Sequence, residues 1–124
     1  MRLFLKILAL MALPLMLAGA AQAELRLLMF DSIGCPYCER WKEEVGVIYP
    51  KTPEGRQVPL TIIDIDDPLP EGVTVKSDPV YTPTFVVLRD NAEFGRIEGY
   101  LGEDFFWGML EMILEKAQTA KSGS

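Results

Sequence analysis

The 124-residue chain contains no histidine, only two cysteines, and 12 basic residues against 18 acidic ones. Each shortage excludes something. Without an imidazole there is no histidine-based catalytic triad or proton shuttle. With two cysteines and no histidine, a tetrahedral structural zinc site lacks two of its four usual ligands. The net charge of −6 and pI near 4.6 are the opposite of the basic footprint that a nucleic-acid binder presents. No apolar run reaches the roughly 20 residues that span a bilayer. The length suits one domain.

Hydrophobic residues nevertheless make up 49% of the chain, with a mean hydropathy of +0.16, and their excess is local. Residues 1–23 hold 18 hydrophobic side chains and no acidic one. Arg2 and Lys6 open this stretch, residues 7–18 form a 12-residue apolar run interrupted by Pro14, and Ala21-Gln22-Ala23 follows. A basic start, a short apolar run and a small-x-small triplet make a secretory signal, so we expect export with cleavage after Ala23. The alternative, an uncleaved membrane anchor, is too short. No cysteine follows residues 17–20, which removes lipid anchoring through a thiol. The expected domain is 24–120, with a frayed tail at 121–124. Residues 24–124 carry ten basic and eighteen acidic side chains, a net charge of −8. A chain of this size buries about 65% of its unfolded surface, enough for one real core.

Hydrophobic periodicity along that domain predicts strand, helix, strand, loop, strand, strand, helix. Residues 25–30 and 60–65 are nearly continuous apolar runs, which suit strands buried on both faces. A helix opens at Pro36, where a missing N–H is harmless. It is expected to bury Tyr37, Trp41, Val45 and Ile48 and to leave Glu39, Arg40, Glu43 and Glu44 on a solvated face. Gly46 and Pro50 mark its end, and residues 51–58 are expected to be a loop. Residues 66–82 form a proline-rich, irregular connection. Strands at 85–88 and 93–100 flank a turn at 89–92, an antiparallel hairpin. In the last helix Phe106, Met109, Leu110, Ile113 and Ala117 share one face, and Glu103 and Asp104 occupy the first turn, where the helix dipole favours them. Trp41 is expected in the core and Trp107 at its rim.

The chemistry centres on Cys35-Pro36-Tyr37-Cys38, because a C-x-x-C between a strand end and a helix start is the arrangement of thiol–disulfide exchange. The helix N-terminus lowers the pKa of a thiol placed there below the free value of about 8.5. Cys35 is therefore expected to attack and Cys38, one turn inside, to resolve the mixed disulfide. Two alternatives stand beside exchange. A structural staple over so short a loop contributes only about 2 kcal/mol, against roughly 4.7 for a hundred-residue loop. A soft ion such as Cu(I) would find two thiolates but no histidine or nearby methionine pair to complete its site. A non-enzymatic Cu(I)-binding or protein-interaction module is the corresponding functional alternative.

These residues, together with Tyr81-Thr82-Pro83-Thr84-Phe85 at the third strand and the closing hairpin and helix, resemble the thioredoxin-like superfamily over nearly all of 24–120. With the signal peptide and the run 96–102 (RIEGYLG), the chain is most similar to the small periplasmic thioredoxins of bacterial sulfur-oxidation systems, the SoxS type. The resemblance implies a compact α/β fold with a four-stranded mixed sheet and flanking helices, in the order β-α-β-(loop)-β-β-α. It implies a periplasmic thiol–disulfide oxidoreductase that restores oxidised cysteines of a protein client, such as a sulfur carrier. The site would hold Cys35 and Cys38 as catalytic residues, with Pro36, Tyr37, Thr82 and a cis Pro83 contacting the partner and the Thr82 backbone pairing with its extended segment. No cofactor is implied beyond the Cys35–Cys38 disulfide and no metal. Implied partners are the client thiol or disulfide and a membrane thiol-reductant donor such as a CcdA/DsbD-type transporter, with a monomeric protein and no nucleic acid. A disulfide oxidase or isomerase is the further alternative, although such enzymes of this fold carry an inserted helical or a dimerisation domain for which 24–120 has no room.

The chain departs from the family pattern at three places. Met29 stands where thioredoxins bury a carboxylate six residues before the first cysteine; Asp31 is read as a turn residue, with a role as substitute proton acceptor as its alternative. Pro36-Tyr37 is the glutaredoxin dipeptide, yet residues 31–34 lack the lysine of a glutathione site. The helix expected between residues 66 and 80 is reduced to a proline-rich connection. Glu39 and Arg40 are the charged residues nearest the cysteines in sequence.

Overall fold

A computed structural model of the chain describes residues 22–120, so nearly all of the expected leader and the whole expected tail lie outside it. Strand β1 (Leu25–Asp31) is apolar from Leu27 to Phe30, where both of its faces are covered and both of its edges are paired. Successive side chains of a strand point to opposite faces: Leu27 and Met29 enter one core, Leu28 and Phe30 a second. β1 pairs in parallel with β2 (Leu60–Asp64) and antiparallel with β3 (Thr84–Arg89), which pairs antiparallel with β4 (Ala92–Glu98). The result is an α/β fold on a four-stranded mixed sheet, ordered β2-β1-β3-β4. The 60–65 run was expected to be buried on both faces, but β2 is an edge strand with Ile62 exposed. An apolar run alone does not distinguish a central strand from an edge.

A parallel pair needs a crossover, and helical segments supply it. α1 (Pro36–Trp41) runs on as a π turn (Lys42–Gly46), followed by a 3₁₀ turn (Tyr49–Lys51) and α2 (Pro53–Gln57). The π turn adds a residue to one helical turn, the Val47 N–H bonding to the Lys42 carbonyl at 3.1 Å. That extra residue shifts the buried stripe: Trp41 and Val45 are buried, but Ile48 faces solvent and Tyr49 takes its place. Tyr37, also expected inside, is exposed because the first turn projects beyond the end of β1. Residues 51–58, expected as a loop, contain α2. Thr52 caps it by accepting the Gly55 N–H at 2.9 Å, Pro53 fills the first turn, and Glu54 sits at the dipole's positive end.

α3 (Glu103–Thr119) covers the same sheet face as α1, burying Phe106, Leu110, Ile113, Leu114 and Ala117. Met109, expected on that face, is only half-buried, and Leu114 is buried instead. The contact that sets the helix's rotation is Ile113 over Gly95 of β4, where a side chain would collide. Trp107 lies half-buried at the rim, stacked on Tyr49 with ring centres 5.9 Å apart.

Among the described residues, the opposite face carries no helix. Residues 65–80 cross it as an irregular strap, with Ile65, Leu69, Val73 and Val75 packed on Leu28, Phe30, Val86 and Leu88. Polar contacts with β4 hold the strap. Thr74 bridges to Ala92, its N–H bonding to the Asn91 carbonyl and its carbonyl accepting from Glu93, both at 2.9 Å. The Glu93 carboxylate accepts the Lys76 N–H at 3.1 Å and pairs with Arg96 at 2.6 Å, and Arg96 donates to the Ser77 carbonyl at 2.7 Å. The hairpin before it turns on Asp90 and Asn91, both at positive φ, as a two-residue type I′ turn requires.

Two outcomes test this packing. A methyl group at Gly55 would overlap the Tyr49 carbonyl oxygen. Alanine gains about 1 kcal/mol of helix propensity over glycine, but over-packing costs about 1–3 kcal/mol and more against backbone. Gly55→Ala is therefore expected to lower the urea midpoint, and a raised midpoint would show that α2 does not pack on the 3₁₀ turn. The second outcome concerns Glu93, whose side chain is 4% exposed. Burial opposes its charge, but the Arg96 hydrogen bond and the Lys76 N–H outweigh burial and hold its carboxyl below the ordinary range. With the folded pKa depressed, the unfolded chain takes up the proton first as pH falls, so this stabilisation is present above the unfolded value of about 4.3 and lost below it. Glu93→Gln should be less stable than the parent at pH 7 and lose less stability between pH 5 and 3 in urea titrations. Parallel pH dependences for the two proteins would contradict this account.

Candidate functional site

β1 ends at Asp31, and the chain turns through Ser32, Ile33 and Gly34 into α1. Gly34 adopts φ +76, a left-handed conformation open to glycine at no steric cost. The Cys35 N–H then donates to the Ser32 carbonyl at 3.3 Å. Cys35 itself is the N-cap of α1: its backbone is extended, and its Sγ accepts the Cys38 N–H at 3.1 Å. Cys35 and Cys38 form a disulfide with Cα atoms 5.2 Å apart. The two sulfurs differ in access, since Cys38 is fully buried while Cys35 is 7% exposed. Both belong to the core that holds Met29, Trp41, Phe85 and Phe106. Pro36 and Tyr37, between them, are exposed.

A second loop meets the first. The Thr82–Pro83 peptide bond is cis, Pro83 is buried, and its carbonyl accepts the Gly99 N–H at 2.7 Å. Ser32 Oγ and Thr82 Oγ1 lie 2.8 Å apart in a hydrogen bond that joins the cysteine loop to this one. Among the described residues, neither the N–H nor the C=O of Thr82 has a hydrogen-bond partner. Around the disulfide, Ile33 is fully exposed, and Tyr37, Val80, Tyr81 and Leu101 are each more than half exposed. Ser32 and Ile33 are not among the expected site residues, and Tyr81 and Leu101 enter the sequence reading only within the runs that carry the resemblance. The available signal was the isoleucine inside a Ser-Ile-Gly turn, a position with no core to serve.

The charged residues near the cysteines are tied to one another. Asp31, expected as a turn residue, is the last residue of β1. Its Oδ1 accepts the Ser32 N–H at 2.8 Å and its Oδ2 pairs with Lys42 at 2.6 Å. Lys42 also pairs with Glu39 at 3.0 Å, and hydrogen bonds to Asp31 and then Glu39 hold its ammonium above its ordinary pKa. Arg40 pairs with Glu44 at 2.9 Å and lies over the Tyr100 ring. Glu44, expected merely to face solvent, accepts the buried Tyr100 hydroxyl at 2.5 Å, and that bond followed by the Arg40 bond lowers its pKa. This tie fixes the π turn that continues α1 to the segment beside Pro83. The hydrogen bonds and ion pairs of Asp31, Glu39 and Arg40 all end on other groups than the sulfurs. No group of three or more metal-ligating side chains converges among the described residues.

A buried cysteine and a slightly exposed one at a helix N-terminus can open and close one disulfide by thiolate attack. Solved structures match the fold. The crystal structure of the periplasmic thioredoxin SoxS from Paracoccus pantotrophus, in its reduced form, is 49% identical, covers 76% of this chain and 99% of that one, and superimposes with a TM-score of 0.75. Thioredoxin-2 of the malaria parasite, a component of its protein secretion machinery, shares the fold at 16% identity, over 74% of this chain and 85% of that one, with a TM-score of 0.52. No family model and no curated protein matches the chain. With the C-x-x-C disulfide at the helix end and this degree of identity over almost the entire length of SoxS, the chain belongs to the SoxS-type thioredoxins of the thioredoxin-like superfamily and is a thiol–disulfide oxidoreductase.

Proposed function

We propose that the protein is a periplasmic reductase of oxidised cysteines on a partner protein. The reduced Cys35 thiolate attacks a sulfur of the client disulfide, forming a mixed disulfide and expelling the first client thiolate, which takes a proton. Cys38 then attacks Cys35 Sγ, re-forming the internal disulfide and releasing the second client thiol. The client gains two electrons and two protons, and the cysteine pair loses them.

The observation that carries this assignment is the asymmetry of the two sulfurs. Cys35 is the one with access to solvent, and its Sγ already receives the Cys38 N–H at 3.1 Å. That bond strengthens when the sulfur becomes an anion, while buried Cys38 attacks only from within. The unpartnered backbone of Thr82 offers an edge on which an extended client segment adds by strand pairing, flanked by Pro36, Tyr37 and Pro83. A reductive direction is supported by the β2–β3 connection, which is a strap across the sheet and carries no inserted helical domain.

The 49% identity to a periplasmic protein supports periplasmic location. Glu24 is tied to the hairpin turn: its N–H bonds to Asp90 Oδ1 at 2.9 Å and its carbonyl accepts the Asp90 N–H at 2.8 Å. Glu24 directly follows the proposed cleavage point after Ala23. Within the SoxS-type reading the client is a sulfur-carrier protein, the electrons come from a membrane thiol transporter, and the protein acts as a monomer without a cofactor other than its own disulfide.

Cys38→Ser should trap a mixed disulfide with the client in a periplasmic extract, and Cys35→Ser should trap none. An adduct formed through Cys38 would reverse the two roles. For the direction, equilibration with glutathione buffers should give a potential closer to the about −270 mV of reducing thioredoxins than to the about −120 mV of strong oxidants. A value near the latter would make the protein an oxidase.

A further inference from the structure

Ser32 engages its backbone N–H, its carbonyl and its hydroxyl at the two loops of the site. Its N–H donates to Asp31 Oδ1 at 2.8 Å, its carbonyl accepts the Cys35 N–H at 3.3 Å, and its Oγ shares a hydrogen bond with Thr82 Oγ1 at 2.8 Å. The first two contacts are local and fix Ser32 to the end of β1 and to the reacting residue. The third spans 50 residues. The Thr82 loop takes its shape from other bonds: Thr84 Oγ1 donates to the Tyr81 carbonyl at 2.7 Å, and the Gly99 N–H to the Pro83 carbonyl at 2.7 Å. Both hold the loop from the side of β3 and β4. Among the described residues, the Ser32–Thr82 bond is the one hydrogen bond between this loop and the cysteine loop. Val80 and Tyr81, just before it, are more than half exposed, so the strap restrains Thr82 little.

The position of Thr82 matters because its backbone N–H and C=O have no partner among the described residues. A client segment that adds to them as a strand is held as far from Cys35 Sγ as Thr82 itself is held. We propose that Ser32 is a positioning residue for client capture: its hydroxyl sets the backbone of Thr82 relative to Cys35, so that a segment pairing there presents its disulfide to the attacking sulfur. This deepens the reductase reading and rests on it. Attack needs the reacting atoms about 3–3.5 Å apart and aligned, and a misplacement of about 1 Å can cost about 100-fold. Ser32 and Thr82 are both half-buried, so removing one hydroxyl leaves the other to water and not to a dry core. The loss then falls on placement, not on folding. A disulfide without a backbone reaches Cys35 without Thr82 and is indifferent to the bond.

The test uses the reduced mature protein and two probes with the same leaving group. One is a short uncharged peptide whose central cysteine is capped as a mixed disulfide with mercaptoethanol; the other is hydroxyethyl disulfide, which has no backbone. With either, the Cys35 thiolate bonds to one sulfur and expels mercaptoethanol as a thiolate, which takes up a proton. Cys38 then attacks Cys35 Sγ, gives up its proton and releases the remaining thiol, so two protein thiols and one disulfide become one protein disulfide and two thiols. The parent should react faster with the peptide, and N-methylation of the residues flanking the peptide's cysteine should remove that advantage. Ser32→Ala, with its folding checked by its thermal transition, should lower the ratio of peptide to hydroxyethyl disulfide rate constants about 3- to 10-fold, the range of one hydrogen bond. Ser32→Thr, which keeps the hydroxyl, should bring the ratio back. Thr82→Val should lower it as Ser32→Ala does, and the double variant no further, because both remove the same bond. A ratio unmoved by either variant, effects that add in the double variant, no recovery in Ser32→Thr, or a methylated peptide as fast as the unmodified one would overturn the inference while leaving the reductase reading intact. Loss of folding in Ser32→Ala would also overturn it, by showing that the bond serves the fold. Failure of the reduced parent to reduce even hydroxyethyl disulfide would instead overturn the reductase reading, and this inference with it.

Discussion

One hydrogen bond joins the fold to the chemistry: the Cys38 N–H on Cys35 Sγ, at 3.1 Å. The first turn of a helix has N–H groups with no intrahelical partner, and ordinarily a serine, threonine, aspartate or asparagine at the N-cap satisfies one of them. Here a sulfur does so. A disulfide or thiol sulfur is a weak acceptor, and a thiolate is a strong one, because bonds to an ionised acceptor are roughly twice as strong as neutral ones. In the proposed cycle the helix is therefore best capped when Cys35 is anionic. The atom that completes α1 is also the atom that reacts.

That bond depends in turn on where β1 stops. β1 is held by strands on both edges and by cores on both faces, so the position of Asp31 at its end is rigid. Asp31 carries this rigidity into the turn by capping Ser32 and into the helix by pairing with Lys42. The Thr82 loop is placed by different means. It follows the strap, which has no regular hydrogen-bond ladder and is held to β4 by the Thr74 bridge and the Glu93–Arg96 pair. From the other side, Gly99 bonds to the Pro83 carbonyl and Tyr100 to Glu44 on the π turn. Two loops from distant parts of the chain thus reach one place, and the Ser32–Thr82 hydrogen bond joins them.

The parts legible in the sequence are those set by local chemistry. Cys35-Pro36 announces a helix start whatever surrounds it, and the apolar runs announce strands. The misread parts depend on partners that periodicity does not contain. A strict 3.6-residue stripe placed Ile48 inside; the π turn, stabilised by close packing of Gly46 on the Trp41 ring, moved that place to Tyr49. β2 looked central because Leu60, Ile62 and Ile63 are apolar, and nothing in those residues states that no strand lies beyond them. Thr52-Pro53-Glu54 was different: an N-cap residue, a first-turn proline and an acid carry the signature of a helix start, but the stretch is polar and holds a proline and a glycine, which indicate a loop. Gly55 is there because the 3₁₀ turn leaves no room for a side chain. The Glu44–Tyr100 tie spans 56 residues, a separation at which no local pattern speaks.

The absence of histidine and the presence of buried Met29 leave the sulfurs without an imidazole or a carboxylate beneath them, so two electrostatic effects of opposite sign remain. The helix end favours a thiolate at Cys35, and the carboxylates of the same end oppose it. Distance decides between them. A hydrogen bond to a charged group contributes about 1.5–3 kcal/mol. A unit charge acting through water contributes about 1 kcal/mol even at about 4 Å, less at longer range, and salt reduces it further. The contact at 3.1 Å therefore dominates the ionisation of the sulfur.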